Sequence, residues 1–370
     1  MTAKLSEFDL AAVLGKKVPI GSLESEIAQM FADDGVEDSG EGMTRASLIN
    51  LTVYTEDPSQ LAESAQELAQ ITSQSACRSL LLAVDAEAQD RSVDAFVQAH
   101  CRVGPGGKRE ACSEQMSFLL GGTSAGLVRN TVFAHLDSDL PLVFWWRGDL
   151  SDVFEERLYS RIDRLIVDGD SWNNPRNQFV RLQEAWREGG AKFRIHDMAY
   201  TRLTGVRRVI AGLFDLPQLQ NQVQSISKVA LKCSPSQRIG AIYLAAWIAA
   251  RLGVKLDMNA SSEGDYRFVP QFGSIGGQVA IQIESDGDDG EFSGEMECED
   301  YRVEFLRCQD TSIIRTQVHS KSPSAELIAE RTYPEVGQNL AESINDILER
   351  GGRNRFFVNC MNDITELLAV

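Results

Sequence analysis

The sequence has no apolar run long enough to cross a lipid bilayer. Its longest such run, IGAIYLAAWIAA at 239–250, ends at Arg251, whereas a spanning helix needs about 20 apolar residues. The first residues also lack a sustained apolar segment followed by a cleavage site of small residues. These absences predict a cytoplasmic protein without membrane attachment.

Positive charge is scarce in this chain. The sequence contains 54 acidic and 36 basic residues, which gives a formal net charge of -18 at pH 7. Such a chain repels phosphate groups overall. Nucleic acids and anionic membrane surfaces are therefore not expected as partners.

Clustered metal ligands are missing as well. The chain has four histidines and seven cysteines, and no Cys-x-x-Cys motif occurs. Zinc sites need such closely spaced ligands, so we expect neither a metal ion nor another cofactor. An odd number of scattered cysteines without an export signal predicts reduced thiols rather than a disulfide framework.

Hydrophobic periodicity divides the 370 residues into three predicted parts. Residues 1–44 form a leader helix followed by an acidic loop at 33–42. Residues 45–190 interleave strands and helices, which predicts a mixed-sheet α/β domain. Residues 191–370 predict an α+β domain, in which an antiparallel meander is covered by helices near 336–350 and 360–369. The predicted fold is thus two layered domains.

A predicted hairpin in the second part brings two cysteines together. Its strands flank a Gly-Pro-Gly-Gly turn at 104–107. If the hairpin is centred between Gly106 and Gly107, Cys101 lies directly opposite Cys112. Two opposed thiols are candidates for a redox pair or for half of a metal site. Buried, reduced cysteines are the simpler interpretation.

The clearest enzyme motif is G-x-S-x-G at 122–126, between a predicted strand and a predicted helix. It matches the nucleophile elbow of hydrolases. Ser124 would be the nucleophile of a serine hydrolase acting on a sugar-phosphate ester or lactone. His135 lies about three turns along the same helix, so it cannot act as the base. The alternative interpretation is that Thr123 or Ser124 caps the helix and that the glycines allow the turn.

The stretch LVFWWRGDL at 142–150 is the most aromatic part of the chain. Its apolar residues do not alternate, which is typical of a strand buried on both faces. The tripeptide Arg147-Gly148-Asp149 lies just past the carboxyl end of this strand. Open α/β sheets bind ligands and partners at this edge. Tryptophan and arginine are also enriched at binding hot spots. Candidate partner contacts are Trp145, Trp146, Arg147, Gly148 and Asp149.

A second candidate surface is the helix predicted over 198–214. Its apolar stripe is bordered by Arg202 and Arg207 on opposite sides. Bordering arginines either pair with acids of the same chain or grip an acidic partner. Because no paired carboxylates or histidine clusters accompany these residues, we assign no catalytic residue.

Several of these segments together resemble the OpcA family, the glucose-6-phosphate dehydrogenase assembly proteins of bacteria. The resemblance is carried by PLVFWWRGD (141–149), DRLIVDG (163–169) and DMAYTRLTGVRR (197–208). The hairpin motifs AHC and CSEQ and the helix IGAIYLAAWIAARLG are also similar to family segments. The chain departs from the family at Tyr200 and Val206, where tryptophans are expected. A role that requires tryptophan there is therefore not carried over.

The resemblance implies a non-catalytic protein. Members of this family bind glucose-6-phosphate dehydrogenase and promote its active oligomeric state, which supports the oxidative pentose phosphate pathway and NADPH supply. The resemblance also implies thiol redox control, with thioredoxin as a second partner. Cys101 and Cys112 are the candidate redox pair in this sequence.

Overall fold

The computed structural model describes most of the chain. The described residues are 7–33, 44–45, 47–103, 109–122, 124–189, 194–271, 277–288, 290–308, 312–322, 326–335, 339–350 and 355–370. Most of the expected acidic loop, at 34–42, and the expected hairpin turn at 104–107 lie outside these residues.

The chain forms two compact units, and each contains more than one stretch of sequence. The first unit holds Met1–Val167, Glu184–Ile195 and Leu340–Gly352. The second unit holds Asp168–Gln183, His196–Asn339 and Arg353–Val370. A division into consecutive segments does not anticipate this interleaving.

The secondary structure of the first unit is mixed. Its elements are α1 Glu7–Leu14, β1 Lys16–Val18, α2 Leu23–Asp33, β2 Thr44–Arg45, β3 Ile49–Thr55, α3 Leu61–Thr72, β4 Cys77–Asp85, β5 Ser92–Val103, β6 Arg109–Gly121, α4 Ala125–Ala134, β7 Leu142–Arg147, α5 Glu156–Tyr159 and β8 Arg164–Val167. Two further elements, α6 Pro175–Gly189 and β9 Arg194–Asp197, are shared between the units.

The second unit begins with short helices and continues as a sheet. Its elements are α7 Met198–Thr201, α8 Thr204–Leu213, β10 Lys228–Cys233, α9 Arg238–Leu252, β11 Val254–Leu256, β12 Asp265–Pro270, β13 Val279–Glu284, β14 Phe292–Glu297, β15 Tyr301–Cys308, β16 Ile313–Ser320 and β17 Leu327–Pro334. The chain then returns to the first unit with α10 Leu340–Arg350 and ends in the second with α11 Arg355–Leu367.

The nine-stranded sheet of the first unit is mostly parallel. Its strand order is β1-β5-β6-β4-β3-β7-β8-β9, with β2 paired to β6. Strand β3 pairs in parallel with both β4 and β7, β4 with β6, and β7 with β8. Apart from the added β1, β2 and β5, the order is that of a doubly wound sheet, in which the first strand lies at the centre.

The central strands are apolar on both faces because helices cover both sides of such a sheet. In β3, β4 and β7 nearly every residue is buried. Helix α3 places its apolar stripe on this sheet and also contacts α10. The sequence predicted that this helix covers the meander. Helix α10 belongs instead to the first unit, where its apolar residues Ile344 and Ile347 are buried.

The eight-stranded sheet of the second unit is largely antiparallel. Its order is β11-β12-β13-β10-β14-β15-β16-β17, and only β10 and β13 pair in parallel. Its strands alternate buried and exposed residues, as in β10 and β15, which is typical of a sheet with one covered face. Helices α8 and α9 pack on the covered face.

The prediction of one continuous helix over 198–214 is wrong, because the structure contains two shorter helices there. Helix α7 ends at Thr201 and α8 starts at Thr204. Leu203 between them has ψ 11°, outside the helical range. The side chains of Arg202 and Arg207 consequently sit in two different settings.

Candidate functional site

The order of the parallel strands reverses between β3 and β7, and the carboxyl ends of both strands meet there. Thr55 at the end of β3 lies opposite Arg147 at the end of β7. In open α/β sheets the crevice at this switch point is where ligands bind. The tripeptide Arg147-Gly148-Asp149, predicted as a partner contact, thus lies at the edge of the first unit's sheet where ligands bind in this class of fold.

Arg147 is held by the helix that follows β3. Its Nη1 donates to Ser64 Oγ at 2.7 Å and also to Glu67, and its Nη2 donates to Glu63 Oε2 at 3.0 Å. The guanidinium carbon lies 5.1 Å from the ring centroid of Trp145. Burial raises the pKa of Glu67 to about 7, although the Arg147 charge opposes this shift. Arg147 therefore ties β7 to α3 within the crevice.

The loop after β3 fills the rest of this edge with its own carboxylates. Glu56 accepts hydrogen bonds from Tyr54 Oη at 2.7 Å and from Ser151 Oγ. Asp57 Oδ1 accepts from the backbone N of Ser59 at 2.9 Å and from its hydroxyl at 2.6 Å. The amide that begins the helical turn is thus already bonded to a side chain of the chain itself.

Trp145 and Trp146 are core residues, which corrects their prediction as partner contacts. Their exposed fractions are 2% and 0%. The Trp146 ring lies 4.4 Å from the Tyr54 ring and packs edge-on against Phe154 at 5.5 Å. Its Nε1 donates to Asp149 O at 3.0 Å. The aromatic run is buried because helices cover both faces of the central strand.

Gly148 and Asp149 form the accessible part of this stretch. Gly148 has φ 80°, a left-handed conformation that glycine adopts without strain. A β-carbon added there would have no neighbour within 4 Å. The turn therefore has open space around it and is the part of the predicted contact that another molecule could reach.

Arg202 pairs with acids that follow strand β8. Its Nη1 donates to Asp168 Oδ1 at 2.9 Å, and its Nη2 bonds the other oxygen of the same carboxylate. Nη1 also lies 3.5 Å from Asp170 Oδ2. Burial lowers the pKa of Arg202, but the bonds to Asp168 outweigh it and the pKa ends above its ordinary value. Arg202 thus belongs to an internal ion-pair cluster.

The carboxylates around Arg202 organise the starts of two helices. Asp170 Oδ1 accepts from the backbone N of Ile239 at 2.9 Å and of Gly240 at 3.2 Å, at the N-terminus of α9. Asp197 Oδ1 accepts from the backbone N of Ala199 at 2.9 Å, at the N-terminus of α7. Helix N-termini favour negative side chains, so these aspartates fix where both helices begin.

Asp197 also closes the loop after β8. It accepts from Gly169 N at 2.9 Å and from Tyr243 Oη at 2.8 Å. A β-carbon on Gly169 would lie 2.7 Å from Asp197 Oδ2, so glycine is required for this approach. Burial raises the pKa of Asp197 to about 7 and that of Asp170 to about 8, and neighbouring Asp168 adds to both shifts.

We define Asp168, Asp170, Asp197, Arg202 and Tyr243 as the aspartate cluster. No paired carboxylates are apparent in the sequence, because these acids are separated along the chain. A signal was nevertheless present: Asp168 directly follows β8, and Asp197 ends β9. Strands β8 and β9 are neighbours in the sheet, so acids at their ends lie close together.

Arg207 is also engaged by its own chain. Its guanidinium carbon lies 3.5 Å from the ring centroid of Tyr200. Nη1 donates to Tyr200 O at 2.6 Å and Nη2 to Thr204 Oγ1 at 3.1 Å. Burial lowers the pKa of Arg207 to about 10. Tyr200, at a position where the resemblance places tryptophan, thus still stacks on a cation.

The two hairpin cysteines lie opposite each other and are joined by a disulfide. Cys101 and Cys112 are register partners in β5 and β6, with a Cα–Cα distance of 4.0 Å. The prediction of reduced thiols is wrong for this pair. The hairpin holds both side chains on the same face of the sheet, close enough to form the bond. The neighbouring His100 Nε2 lies 2.8 Å from Gln115 Oε1.

Ser124 acts as a helix cap. Its Oγ accepts from the backbone N of Leu127 at 3.3 Å, and its extended φ and ψ are those of an N-cap residue. No hydrogen bond joins Ser124 to a histidine within the residues described here. His135 lies at the other end of α4, as its C-cap.

In the part of the chain that the structure describes, no three His, Cys, Asp or Glu side chains are placed so that they could hold a metal ion. Nor does that part contain a helix that combines the length and the apolar character needed to traverse a membrane.

Solved structures show the same class of fold. A 3-ketoreductase from Actinomadura kijaniata, solved with NADP, has a TM-score of 0.50 at 11% identity and covers 87% of this chain and 96% of its own. An oxidoreductase from Sinorhizobium meliloti has a TM-score of 0.50 at 10% identity and covers 88% and 95%. The chain therefore has the two-domain fold of such oxidoreductases, a doubly wound domain followed by a sheet domain.

Family models identify the chain more narrowly. Residues 68–184 match the OpcA assembly model, described as the N-terminal domain of a glucose-6-phosphate dehydrogenase subunit. Residues 194–361 match the corresponding C-terminal domain. Together the matches cover more than half of the chain, so this protein belongs to the OpcA family.

Two curated relatives are named as OxPP cycle proteins OpcA. The relative from Synechocystis sp. is 27% identical over 187 residues, and the one from Nostoc punctiforme is 26% identical over 183 residues. The alignments cover 49% and 48% of this chain. In both cases the match spans 38% of the relative's length, well under half of it.

The neighbour solved with NADP raises the question whether the crevice fits a dinucleotide. Dinucleotide crevices place a glycine-rich turn and a free helix N-terminus against the pyrophosphate. Here the turn reads TEDPSQ at 55–60 and contains no glycine. Asp57 already caps the helical turn, and Glu56 adds a second negative charge. These residues do not fit a pyrophosphate, and we derive no step through a nicotinamide cofactor.

Proposed function

We propose that this chain is a non-catalytic assembly and activation factor for glucose-6-phosphate dehydrogenase. It binds the enzyme, promotes its active oligomeric state and so supports the oxidative pentose phosphate pathway and NADPH supply. The proposal includes a cytoplasmic location. The observation that carries it is the match of both halves of the chain to domains named for a subunit of that enzyme.

The non-catalytic part of the proposal is supported by the crevice. The fold resembles dehydrogenases, yet the chain's own carboxylates take the place where such enzymes bind pyrophosphate. Arg147 is fully engaged by Ser64, Glu63 and Glu67 instead of facing a substrate. A protein with this crevice retains the scaffold of an oxidoreductase without its cofactor cradle.

The proposed contact with the dehydrogenase is the turn at Gly148 and Asp149. Trp146 supports this turn through its hydrogen bond to Asp149 O, and Arg147 anchors the start of the turn. Arg202 and Arg207 support the fold through internal partners and are not proposed as contacts.

Charge reversal at the turn tests this contact. Asp149→Arg is expected to raise the dissociation constant for the dehydrogenase by at least about tenfold, as at a central interface position. Glu349→Arg, an exposed acid on α10, serves as the matched control and should bind as the wild type does. Equal binding by the two variants, with unchanged melting temperatures, would remove the turn from the interface.

Redox control through Cys101 and Cys112, with thioredoxin as the reducing partner, stays a proposal. The disulfide in the β5–β6 hairpin is consistent with it. The double substitution Cys101→Ser, Cys112→Ser should abolish any effect of oxidant or thioredoxin on dehydrogenase activation. If an oxidant-dependent effect persists in that variant, other groups carry it.

The serine hydrolase alternative gains no support from the geometry. Ser124 caps α4 and bonds to the backbone of its own helix. A covalent fluorophosphonate adduct on Ser124 of the folded protein would restore this alternative.

A further inference from the structure

Among the described residues of the second unit, no helix packs on one face of the eight-stranded sheet, which we call the open face. Helices α8 and α9 pack on the other face, where Leu231, Met296 and Ile314 are buried. The open face exposes Leu306 at 38% and contains a shallow groove of about 400 Å³ over strands β10, β14, β15 and β16. A single exposed leucine is ordinary on a protein surface; this face is a candidate interface because the described residues leave its strands without a covering layer.

The basic side chains on the open face are balanced by acids on the same face. The strand registers place Lys228, Lys232, Arg302 and Arg315 there. The same registers place Glu284, Glu295, Glu297 and Glu304 beside them. In a chain with net charge -18, this face is locally neutral. Two copies of the chain can therefore approach each other here without strong repulsion.

Like Glu284, Glu295 is an acid of this face that forms no ion pair among the described residues. It lies directly opposite Glu304 on the neighbouring strand, an arrangement that destabilises a sheet. Glu304 pairs with Arg302 at 2.9 Å. Among the residues that the structure describes, Glu295 forms no ion pair.

Arg315 is its basic counterpart. It is exposed and likewise forms no ion pair within the described residues. It lies opposite Leu306, which in turn lies opposite Ser293 on the strand of Glu295. Arg315 and Glu295 of one chain are thus two strands apart and offset by two residues along the strand direction. Their separation of about 12 Å is too long for an ion pair within one chain.

We propose that the chain forms a homodimer through this open face. Two copies related by a two-fold axis in the plane of the interface bring Glu295 of each copy onto Arg315 of the other. The axis lies midway between these residues, so Leu306 of the two copies meets near the centre. Such an isologous contact is self-complementary, since the same pair forms twice.

The area of the open face sets the upper limit of this contact, because an axis at β15 brings only part of each face together. The seven longer strands, at about 4.8 Å spacing and about 20 Å length, make a face of roughly 700 Å². Stable dimer interfaces bury about 800 Å² on each partner. The proposal does not depend on which enzyme the chain assists.

Sedimentation of charge variants tests the dimer. One chain has a mass of 40.9 kDa. At a chain concentration of roughly 10 µM, a dimer with a dissociation constant below about 1 µM sediments at twice that mass. Glu295→Arg and Arg315→Glu should each raise that constant by at least about tenfold, because each sets like charges against each other twice. The two variants mixed in equal amounts should regain the dimer mass, since both contacts then join opposite charges. Glu349→Arg, on α10, is the control and should remain dimeric.

Three results would overturn the proposal. The first is a wild-type chain that remains monomeric at this concentration. The second is a dimer that both single variants leave intact, which would place the contact elsewhere. The third is a mixture that stays monomeric although each variant melts like the wild type, which would show that Glu295 and Arg315 do not face each other.

Discussion

Arginine beside tryptophan is a common composition for a binding hot spot, yet Arg147 bonds within its own unit. The guanidinium is almost buried, and a buried charge requires a partner. Helix α3 supplies two carboxylates and a hydroxyl to it. The residue type alone thus cannot separate an external contact from an internal one.

The two acids on Arg147 are expected to differ in their effect on stability. The side chain of Glu67 is 14% exposed and that of Glu63 is 62% exposed. Glu67→Ala should lower the free energy of unfolding of the first unit by about 2–3 kcal/mol, because it leaves a buried guanidinium short of its counter-charge. Glu63→Ala should change it by less than about 0.5 kcal/mol. Chemical denaturation of the two variants checks this, and equal losses would contradict it.

The aspartate cluster predicts a pH dependence of the second unit. The pKa of Asp197 is raised by burial to about 7, so the folded state binds this proton more tightly than the unfolded state. Its contribution to stability is fully present below an ordinary aspartate pKa of about 4 and is lost as pH rises through about 7. The α9 amides of the wild type should therefore exchange faster above about pH 8 than near pH 6, after correction for intrinsic rates.

Asp197→Asn is the control for this prediction. The amide retains an acceptor for Gly169 N and Ala199 N and presents a donor to Tyr243 Oη, but it does not titrate. The pH dependence of α9 exchange should be weaker in this variant than in the wild type. An identical dependence in both proteins would mean that Asp197 does not carry it.

The sequence predicted individual residues less well than elements. The opposition of Cys101 and Cys112 was predictable, because a hairpin turn fixes register. The aspartate cluster was not, since Asp170 meets the start of α9 only through the packing of segments about 70 residues apart. The non-alternating run at 142–146 did predict a strand buried on both faces, and the burial of Trp145 and Trp146 agrees with that prediction rather than with a partner contact.

At the scale of elements, the α/β part was predicted best. The stretch at 142–150, predicted as a strand buried on both faces, contains β7 Leu142–Arg147, and the helix predicted after the G-x-S-x-G motif is α4 Ala125–Ala134. Strong apolar runs and helical periodicity make such elements visible. Strands β10 and β17 were missed, because β10 carries lysines on its open face and β17 is mostly exposed.

The elbow-like motif is expected to behave as a structural element. Ser124→Ala removes the side-chain acceptor for Leu127 N and should destabilise the first unit by about 1 kcal/mol. Under the proposed function, activation of the dehydrogenase should remain unchanged, because the Ser124 hydroxyl bonds to the backbone of its own helix. Thermal melting and the activation assay on the same preparation check both parts. A variant that melts normally but fails to activate would contradict this role.

At the scale of the whole molecule, the two units retain an oxidoreductase fold while their chemistry differs from it. The doubly wound sheet keeps its switch point, but acids and a locked arginine fill the edge that carries glycines in dinucleotide-binding proteins. The second unit keeps an open sheet face with balanced charge. These two features are the structural basis of the proposed association with other protein chains.

The central claim is that this chain assembles and activates glucose-6-phosphate dehydrogenase. The most direct test measures the native mass and the activity of the dehydrogenase from the same source, with and without this protein. The account predicts a stable complex of increased mass and a clear gain in activity. Absence of both a complex and a gain, under reducing and under oxidising conditions, would contradict it.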